Sequence, residues 1–331
     1  MGRQADTTGV KLDFLSPPLP AELAASAARL VVPILHEEFL ERLLLGQFGP
    51  GAQFVAGIAR DGEKVAGHCW GGWGQSAAPI GVVAGVVTDE HYRGKGIASA
   101  LVAGICRRFD AAGGKLLFLG TTNPDARRIY ERLGFRNLIG SVYCRGQFSP
   151  ARGFATGLTA RSHPAAWRDM GSVLPLYLLP HPCMVMDSVT ELPSTRLFAP
   201  WRCFRIFWEN WQSVENGGSW ELLESASGWA VASALARPFP SQEESQSAGA
   251  SDFSVDFIWH PDYSDIGLEF VRDFLRRAEK QCRGGPCLFL CDRDEWKQRA
   301  AKSLGFSCAG RGVRNMLVSG ERWALDEYRR D

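Results

Sequence analysis

Apolar and polar positions along the chain change their period several times, and each change marks a predicted element. The Ala- and Leu-rich stretch from Pro20 to Leu45 has helical spacing and predicts one or two helices, with a break at Pro33. Gln53 to Arg60 then reads as a strand, Asp61-Gly62 as a two-residue hairpin turn, and Glu63 to Trp70 as the return strand. After a Gly/Ser/Ala/Pro stretch, Val-rich Ile80 to Thr88 predicts a third strand. Ile97 to Ala112 turns helical and stops at Gly113-Gly114. Lys115 to Gly120 predicts a fourth strand. Pro124 to Leu133 predicts a helix with Pro at its start and Gly134 just past its end. Strand, helix, strand in that order implies a parallel pair at this point of a mixed sheet.

The second half repeats the first at a fixed offset of 171. Leu133-Gly134-Phe135 recurs as Leu304-Gly305-Phe306, Phe118-Leu119 as Phe289-Leu290, Gly113-Gly114 as Gly284-Gly285, and Gly96 as Gly267. Trp220 to Glu224 and Gly228 to Arg237 read as the repeated hairpin. Ser241 to Asp252 is polar, low in complexity and reads as a mobile insert. The expectation is two α/β modules in tandem, residues 1–148 and 149–331, each a mixed and mostly antiparallel sheet flanked by helices.

Composition narrows the function classes. The 331 residues carry 37 Lys+Arg against 36 Asp+Glu, a formal charge of +1, spread evenly over the two halves. That balance argues against a dedicated nucleic-acid binder. No apolar run approaches the length of a membrane span, and Met1 to Val10 lacks the apolar core of a secretory signal. Nine cysteines stand without a CxxC or a zinc spacing, so the expectation is a cytoplasmic protein with reduced thiols and no metal; Cys287 and Cys291 read as buried thiols of a strand.

The informative chemistry lies in Val86-Val87-Thr88-Asp89-Glu90-His91-Tyr92-Arg93-Gly94-Lys95-Gly96-Ile97-Ala98, a strand, a basic glycine turn and a helix start. Unpaired N–H groups at a helix N-terminus, with Arg93 and Lys95 beside them, suit a pyrophosphate; the plainer reading is a glycine turn with two solvated cations. A P-loop would need Ser or Thr after Lys95, where Gly96 stands. A dinucleotide fingerprint lacks its third glycine at Ser99 and any acid in Gly120-Thr121-Thr122-Asn123.

Arg93-Gly94-Lys95-Gly96-Ile97-Ala98 resembles the [RQ]-x-x-G-x-[GA] turn of the GNAT superfamily of acyl-CoA-dependent N-acyltransferases. Asn123-x-x-Ala126-x-x-x-Tyr130-x-x-x-Gly134-Phe135 resembles that family's second signature. The resemblance is tight over about residues 53 to 147. It implies acetyl-CoA as acyl donor. Val86, Val87 and Thr88 would pair with the pantetheine arm, Arg93, Gly94, Lys95, Gly96, Ile97 and Ala98 would hold the pyrophosphate, and Asn123 would bond the cofactor arm. Tyr130 would stand near the thioester sulfur as proton donor, and the Val87 N–H would face the developing oxyanion. Each has a plainer alternative, Tyr130 as a packing aromatic and Asn123 as the cap of the helix at Pro124. Arg127 and Arg128 read as solvated helix cations or as partners of an adenosine phosphate.

The general base departs from the family pattern. Many members carry a glutamate early in the strand before the glycine turn, whereas Ile80-Gly81-Val82-Val83-Ala84-Gly85 has no ionisable group. His68, Glu37, Glu38 and Glu41 are candidate substitutes, each also readable as a core histidine or an exposed helix face, and a water relay needs none of them. In the second half Arg93 becomes Ser264, Gly94 Asp265, Ala98 Glu269, Asn123 Asp294 and Tyr130 Ala301, so the scaffold persists and the anion site does not. Trp201, Phe204, Phe207, Trp208 and Trp211 read as a helical core face or as an aromatic wall of an acceptor pocket. Leu45 to Gln53, Gly71 to Pro79 and Gly140 to Arg145 are expected to form acceptor loops. The resulting expectation is an enzyme. It would transfer an acetyl group to a primary amine of a small molecule or peptide, by direct attack in a ternary complex. The alternatives are a non-catalytic acyl-CoA sensor and a protein N-acetyltransferase.

Overall fold

The computed structural model describes residues 9–31, 37–76, 79–146, 159–179, 205–238, 252–281, 285–318 and 321–330. They divide into two units. The first runs to residue 146 and includes Ala166–Ser172; the second holds the remainder.

In the first unit β1 (Lys11–Leu15), β2 (Ala52–Asp61), β3 (Lys64–Gly74), β4 (Ile80–Thr88), β5 (Leu116–Gly120), β6 (Arg136–Ile139) and β7 (Val142–Gly146) form one sheet. Its order is β1-β2-β3-β4-β5-β7-β6, and every neighbouring pair is antiparallel except β4 with β5. The helices are α1 (Ala21–Val31), α2 (Glu37–Leu44), α3 (Ile97–Ala111) and α4 (Pro124–Arg132); residues 32–36, with the expected break at Pro33, lie outside the described residues. β3 is buried along nearly its whole length. Its glycines permit this: a Cβ at Gly67 or Gly71 would run into Ile97 or Ile105 of α3, and one at Gly72 would strike Phe54 and Met170 on the alternate face. The core beneath α3 joins Cys69, Trp73, Val83, Leu101, Ile105, Phe109, Leu117 and Tyr130.

The sequence expectations need three corrections here. β3 runs on to Gly74, and β7 begins at Val142, so Gly71–Gly74 and Val142–Arg145 are strands rather than acceptor loops. β1 was not foreseen, because five residues of mixed polarity carry no periodic signal; it is placed by pairing with β2, where Asp13 meets Arg60.

The second unit contains β8 (Ala160–Pro164), α5 (Leu174–Leu178), α6 (Arg205–Glu215), β9 (Ser219–Ser225), β10 (Ala230–Pro238) and β11 (Phe253–Trp259). It continues with α7 (Ser264–Gln281), β12 (Pro286–Cys291), α8 (Glu295–Ser303), β13 (Phe306–Val318) and β14 (Glu321–Arg330). Read from β8, the strand order β8-β9-β10-β11-β12-β14-β13 is that of the first sheet, and again one pair alone, β11 with β12, is parallel. α8 begins and ends 171 residues after α4. Phe207 and Trp208 of α6 are buried, and Phe207 meets Trp220 of β9 with ring centroids 5.4 Å apart, which makes this aromatic face core. Trp201, Phe204 and residues 239–251, with most of the expected insert, lie outside the described residues. Cys287 and Cys291 are buried free thiols of β12. No helix among the described residues is long and apolar enough to cross a membrane.

Candidate active site

The site grows from two irregularities in β4. The first is a bulge. Gly67 pairs with Thr88 and His68 with Val87, but Trp70 pairs with Ala84, so Gly85 and Val86 together oppose Cys69. Gly85 takes φ +61°, a left-handed conformation that glycine adopts without a Cβ penalty. The second is a parting of strands. β4 pairs with β5 only over Ile80, Gly81 and Val82, so Val83 to Thr88 run on with no β5 partner among the described residues. Val86, Val87 and Thr88 therefore present a free strand edge, and all three line a cleft of about 710 Å³.

The turn after β4 closes one end of that cleft. Asp89 caps its first residues by accepting the His91 N–H at 3.0 Å and pairs with Lys64 at 3.2 Å. The Tyr92 hydroxyl donates to Asp61 at 2.8 Å, and this carboxylate holds the phenol above its ordinary range. The β2–β3 hairpin thus braces the turn. Gly94 (φ +77°) and Gly96 (φ +78°) are left-handed, and Gly96 is the N-cap of α3 with no side chain to cap it. The first N–H groups of α3 are left for a ligand, at the positive end of the helix dipole. Arg93 lies at the rim, its Nε 3.3 Å from the Thr88 carbonyl.

α4 supplies the opposite wall. Asn123 caps it, Oδ1 accepting the N–H groups of Asp125 (2.9 Å) and Ala126 (3.3 Å). The cap uses the oxygen, so the amide N–H groups stay available as donors toward the cleft that Asn123 also lines. Tyr130 lines the cleft while 5% exposed, packed edge-on against Phe135 at 6.1 Å. Its hydroxyl has no hydrogen-bond partner among the described residues, and burial pushes its pKa up, so it keeps its proton throughout the neutral range.

Of the eleven residues that the sequence places at a cofactor site, ten line this one cleft: Val86, Val87, Thr88, Arg93, Gly94, Gly96, Ile97, Ala98, Asn123 and Tyr130. Lys95 does not. Its ammonium lies over the Tyr92 ring, 4.9 Å from the centroid, so a cation–π contact and solvent take the charge that the sequence assigned to a phosphate. Arg127 also lies away from the cleft, paired with Glu131 at 2.7 Å. Arg128 and Arg132 both line it, Arg128 paired with Asp125 at 3.0 Å. Arg132 went unread in the sequence, although its spacing of four from Arg128 puts the two on one face of α4.

The candidate bases fare differently. His68 is fully buried. Its Nδ1 lies 3.2 Å from the Gly85 carbonyl, and burial drives its pKa down to about 4, so it stays neutral and shielded from an acceptor. Glu41 is exposed on α2, and the side chains of Glu37 and Glu38 lie outside the described residues. Asp125 is the one carboxylate among the described residues lining the cleft.

The residues fit an acyl-CoA by features of their own. A strand edge with free main-chain groups suits the amides of a pantetheine arm, an uncapped helix start suits a pyrophosphate, and the Thr88 hydroxyl is buried with no partner. Residues 24–135 match the acetyltransferase (GNAT) family model. The match takes in the whole run from Val86 to Tyr130 and about a third of the chain, so the first unit carries a GNAT-family acetyltransferase domain. Acetyl-CoA is the acyl donor of that family. Solved structures resemble the chain at low identity. A GNAT superfamily phosphinothricin acetyltransferase from Sinorhizobium meliloti in complex with AcCoA is 15% identical over 52% of this chain and 88% of its own, with a TM-score of 0.39. An N-acetyltransferase from Staphylococcus aureus is 13% identical over 52% and 98%, with a TM-score of 0.38. An acetyltransferase from Trypanosoma brucei is 20% identical over 38% and 94%, with a TM-score of 0.31. No curated protein matches.

The second unit shares the parting of its parallel strands but lacks the bulge and the uncapped glycine helix start. Its β10–β11 ladder runs from Ala232↔Trp259 to Pro238↔Phe253 without a shift, so there is no bulge. α7 already begins at Ser264, which puts Gly267, the counterpart of Gly96, inside the helix, where a Cβ would strike Trp259. Beyond the last parallel pair, Val255↔Leu288, the two strands part around the unit's own side chains. Lys297 and Asp256 form a buried ion pair there, and Trp259 meets Trp296 with centroids 4.9 Å apart. Asp294, the counterpart of Asn123, caps α8 through Oδ1 with its other oxygen buried and unpartnered, and burial raises its pKa.

Proposed function

We propose that the chain is an N-acetyltransferase with one working cleft, in the first unit, which moves an acetyl group from acetyl-CoA to a primary amine of a small molecule or peptide. The parting of β4 from β5 beside an uncapped glycine helix start carries the reading, with Tyr130 facing the same cleft. The acyl donor supplies an activated thioester carbonyl: as the acceptor nitrogen bonds to it, the C–S bond breaks and a thiolate leaves. The main chain at Val86 and Val87 offers donors where negative charge gathers on oxygen. Tyr130 holds a proton at its hydroxyl that a departing thiolate needs, and regains it from solvent. Asp125, the one carboxylate among the described residues lining the cleft, is paired with Arg128 at 3.0 Å, and β4 carries no ionisable group, which fits a relay through water. Direct attack in a ternary complex is the reading we favour, supported by a lining that holds no cysteine among the described residues and one serine, Ser99, in the first turn of α3.

The second unit is, in this proposal, a degenerate module with a structural or acceptor-binding role, and a cytoplasmic setting accords with the free cysteines among the described residues. A non-catalytic acyl-CoA sensor is the rival reading, favoured by the absence of an ionisable group on β4 before the bulge. Calorimetric titration of acetyl-CoA tests the proposal. We expect one site per chain, lost in Arg93→Glu and Gly96→Glu and unchanged in Ser264→Ala. No binding sinks the acetyltransferase reading. Binding with no turnover across an amine panel favours the sensor.

A further inference from the structure

The bulge in β4 requires a holder. An extra residue leaves one stretch of the ladder unpaired, and a left-handed glycine at its head can relax unless something fixes its carbonyl. Within the sheet the Gly85 carbonyl is met by a side chain, His68 Nδ1 at 3.2 Å. Because a carbonyl only accepts, this nitrogen carries the proton and Nε2 is the bare nitrogen of the neutral ring. Nε2 is buried and has no partner among the described residues. A fully buried histidine with one nitrogen unsatisfied costs stability, and its other nitrogen makes the contact with the Gly85 carbonyl at the bulge. His68 sits directly opposite Val87, which lines the cleft, and Gly85 is two residues before it. The second unit supplies an internal contrast: β10 (AVASALARP) has no histidine, and its ladder with β11 has no bulge.

Resting on the acetyltransferase reading above, we propose that His68 is a positioning residue: its Nδ1–H holds the Gly85 carbonyl and so fixes the bulge that presents the Val86–Val87 main chain to the acyl carbonyl. It touches neither donor nor acceptor. It acts through the backbone, and its burial excludes it as the proton acceptor.

The experiment is isotope-edited infrared spectroscopy of [1-13C]acetyl-CoA bound to the full chain, which reads polarisation of the thioester carbonyl directly. In the wild type the carbonyl band moves to lower frequency than in free acetyl-CoA. His68→Leu, which cannot hold the Gly85 carbonyl, loses at least half of that shift while acetyl-CoA affinity stays within about fivefold. His68→Asn, whose amide reaches the place of Nδ1, restores it. Gly85→Ala, which strains the left-handed residue from the other side of the bond, loses the shift as His68→Leu does, and it decides the matter alone if His68→Leu does not fold. A wild-type shift left unchanged by both His68→Leu and Gly85→Ala overturns the proposal while the acetyltransferase reading stands. A wild type that binds no acetyl-CoA by calorimetry overturns both.

Discussion

His68 also makes the first unit sensitive to acid, and the size of the effect follows from its burial. The ring is fully buried, accepts no hydrogen bond from a described group, and its pKa is pulled from 6.5 to about 4. In the unfolded chain it titrates near 6.5. Above pH 6.5 both states are neutral and the full stability is present. As pH falls, the unfolded chain takes up a proton that the folded unit refuses, so stability is lost from pH 6.5 down through pH 4. At about 1.4 kcal/mol per pH unit, the loss is about 3 kcal/mol. The carboxylates of Asp13 and Asp89, held low by their cationic partners, add to acid sensitivity mainly below pH 4, so a difference against a variant isolates the histidine. Hydrogen exchange read on peptides of β3 and β4 separates the first unit from the second, which a global unfolding curve would not. Corrected for intrinsic exchange, protection in the wild type should fall about a hundredfold more between pH 7 and pH 4 than in His68→Asn, which has no proton to gain. Equal pH slopes in the two proteins would refute the reasoning, because a neutral buried ring would then not be what the acid attacks.

Other consequences are open to measurement. Tyr130→Phe keeps the ring packing against Phe135 and removes a hydroxyl with no partner among the described residues. Stability should therefore change by less than about 1 kcal/mol and acetyl-CoA affinity by less than about threefold, while thiol release in steady-state assays falls by roughly 10²-fold; an unchanged kcat would remove Tyr130 from the chemistry. Gly71→Ala should cost about 1–3 kcal/mol by driving a Cβ into Ile105, and in a denaturation cycle with Ile105→Ala the two losses should fall well short of additive. Lys297→Met leaves Asp256 buried without its cation and should cost the second unit about 3–5 kcal/mol, whereas pairing it with Asp256→Leu should recover most of that; acetyl-CoA affinity should not move in either.

Much of the first unit is legible in its sequence because its signals are local. Ile80–Thr88 reads as a Val-rich strand, Gly94 and Gly96 as a turn, and Pro124 to Gly134 as a capped helix; the structure forms each from the same residues. The like strand order of the two sheets is foreshadowed for the same reason, since glycine stops and Leu-Gly-Phe corners recur at one offset in the sequence. What escapes the sequence is decided between strands. That β4 parts from β5 after Val82 depends on register, and the bulge depends on a count of residues across two chains of the ladder. For a similar reason Lys95 makes a side-chain contact that is not legible from the sequence. In the sequence it belongs to a basic glycine turn, but the neighbour that claims it, Tyr92, is itself held by Asp61 of a distant hairpin.

The two units show how little separates an open cleft from a filled one on sheets of the same strand order. Both sheets have the same order and part at the same parallel pair, so the opening between strands belongs to the fold. Whether it admits a ligand depends on three local features that change together. In the first unit the strand is bulged, the helix starts late behind two left-handed glycines, and the side chains at the opening, Val86, Val87 and Thr88, are small. In the second the strand is straight, the helix starts three residues before the matching glycine, and Trp259, Trp296 and the Lys297–Asp256 pair occupy the opening. Each change supports the others. Without the bulge, Trp259 stands where its ring lies over Gly267, and a helix that already encloses Gly267 has no free N–H groups to offer there. A single substitution should therefore not reopen the second cleft: Trp259→Gly alone still lacks the anion-binding helix start, and acetyl-CoA titration of that variant should give the same one site per chain as the wild type. Two sites would mean that the ring alone had been the barrier.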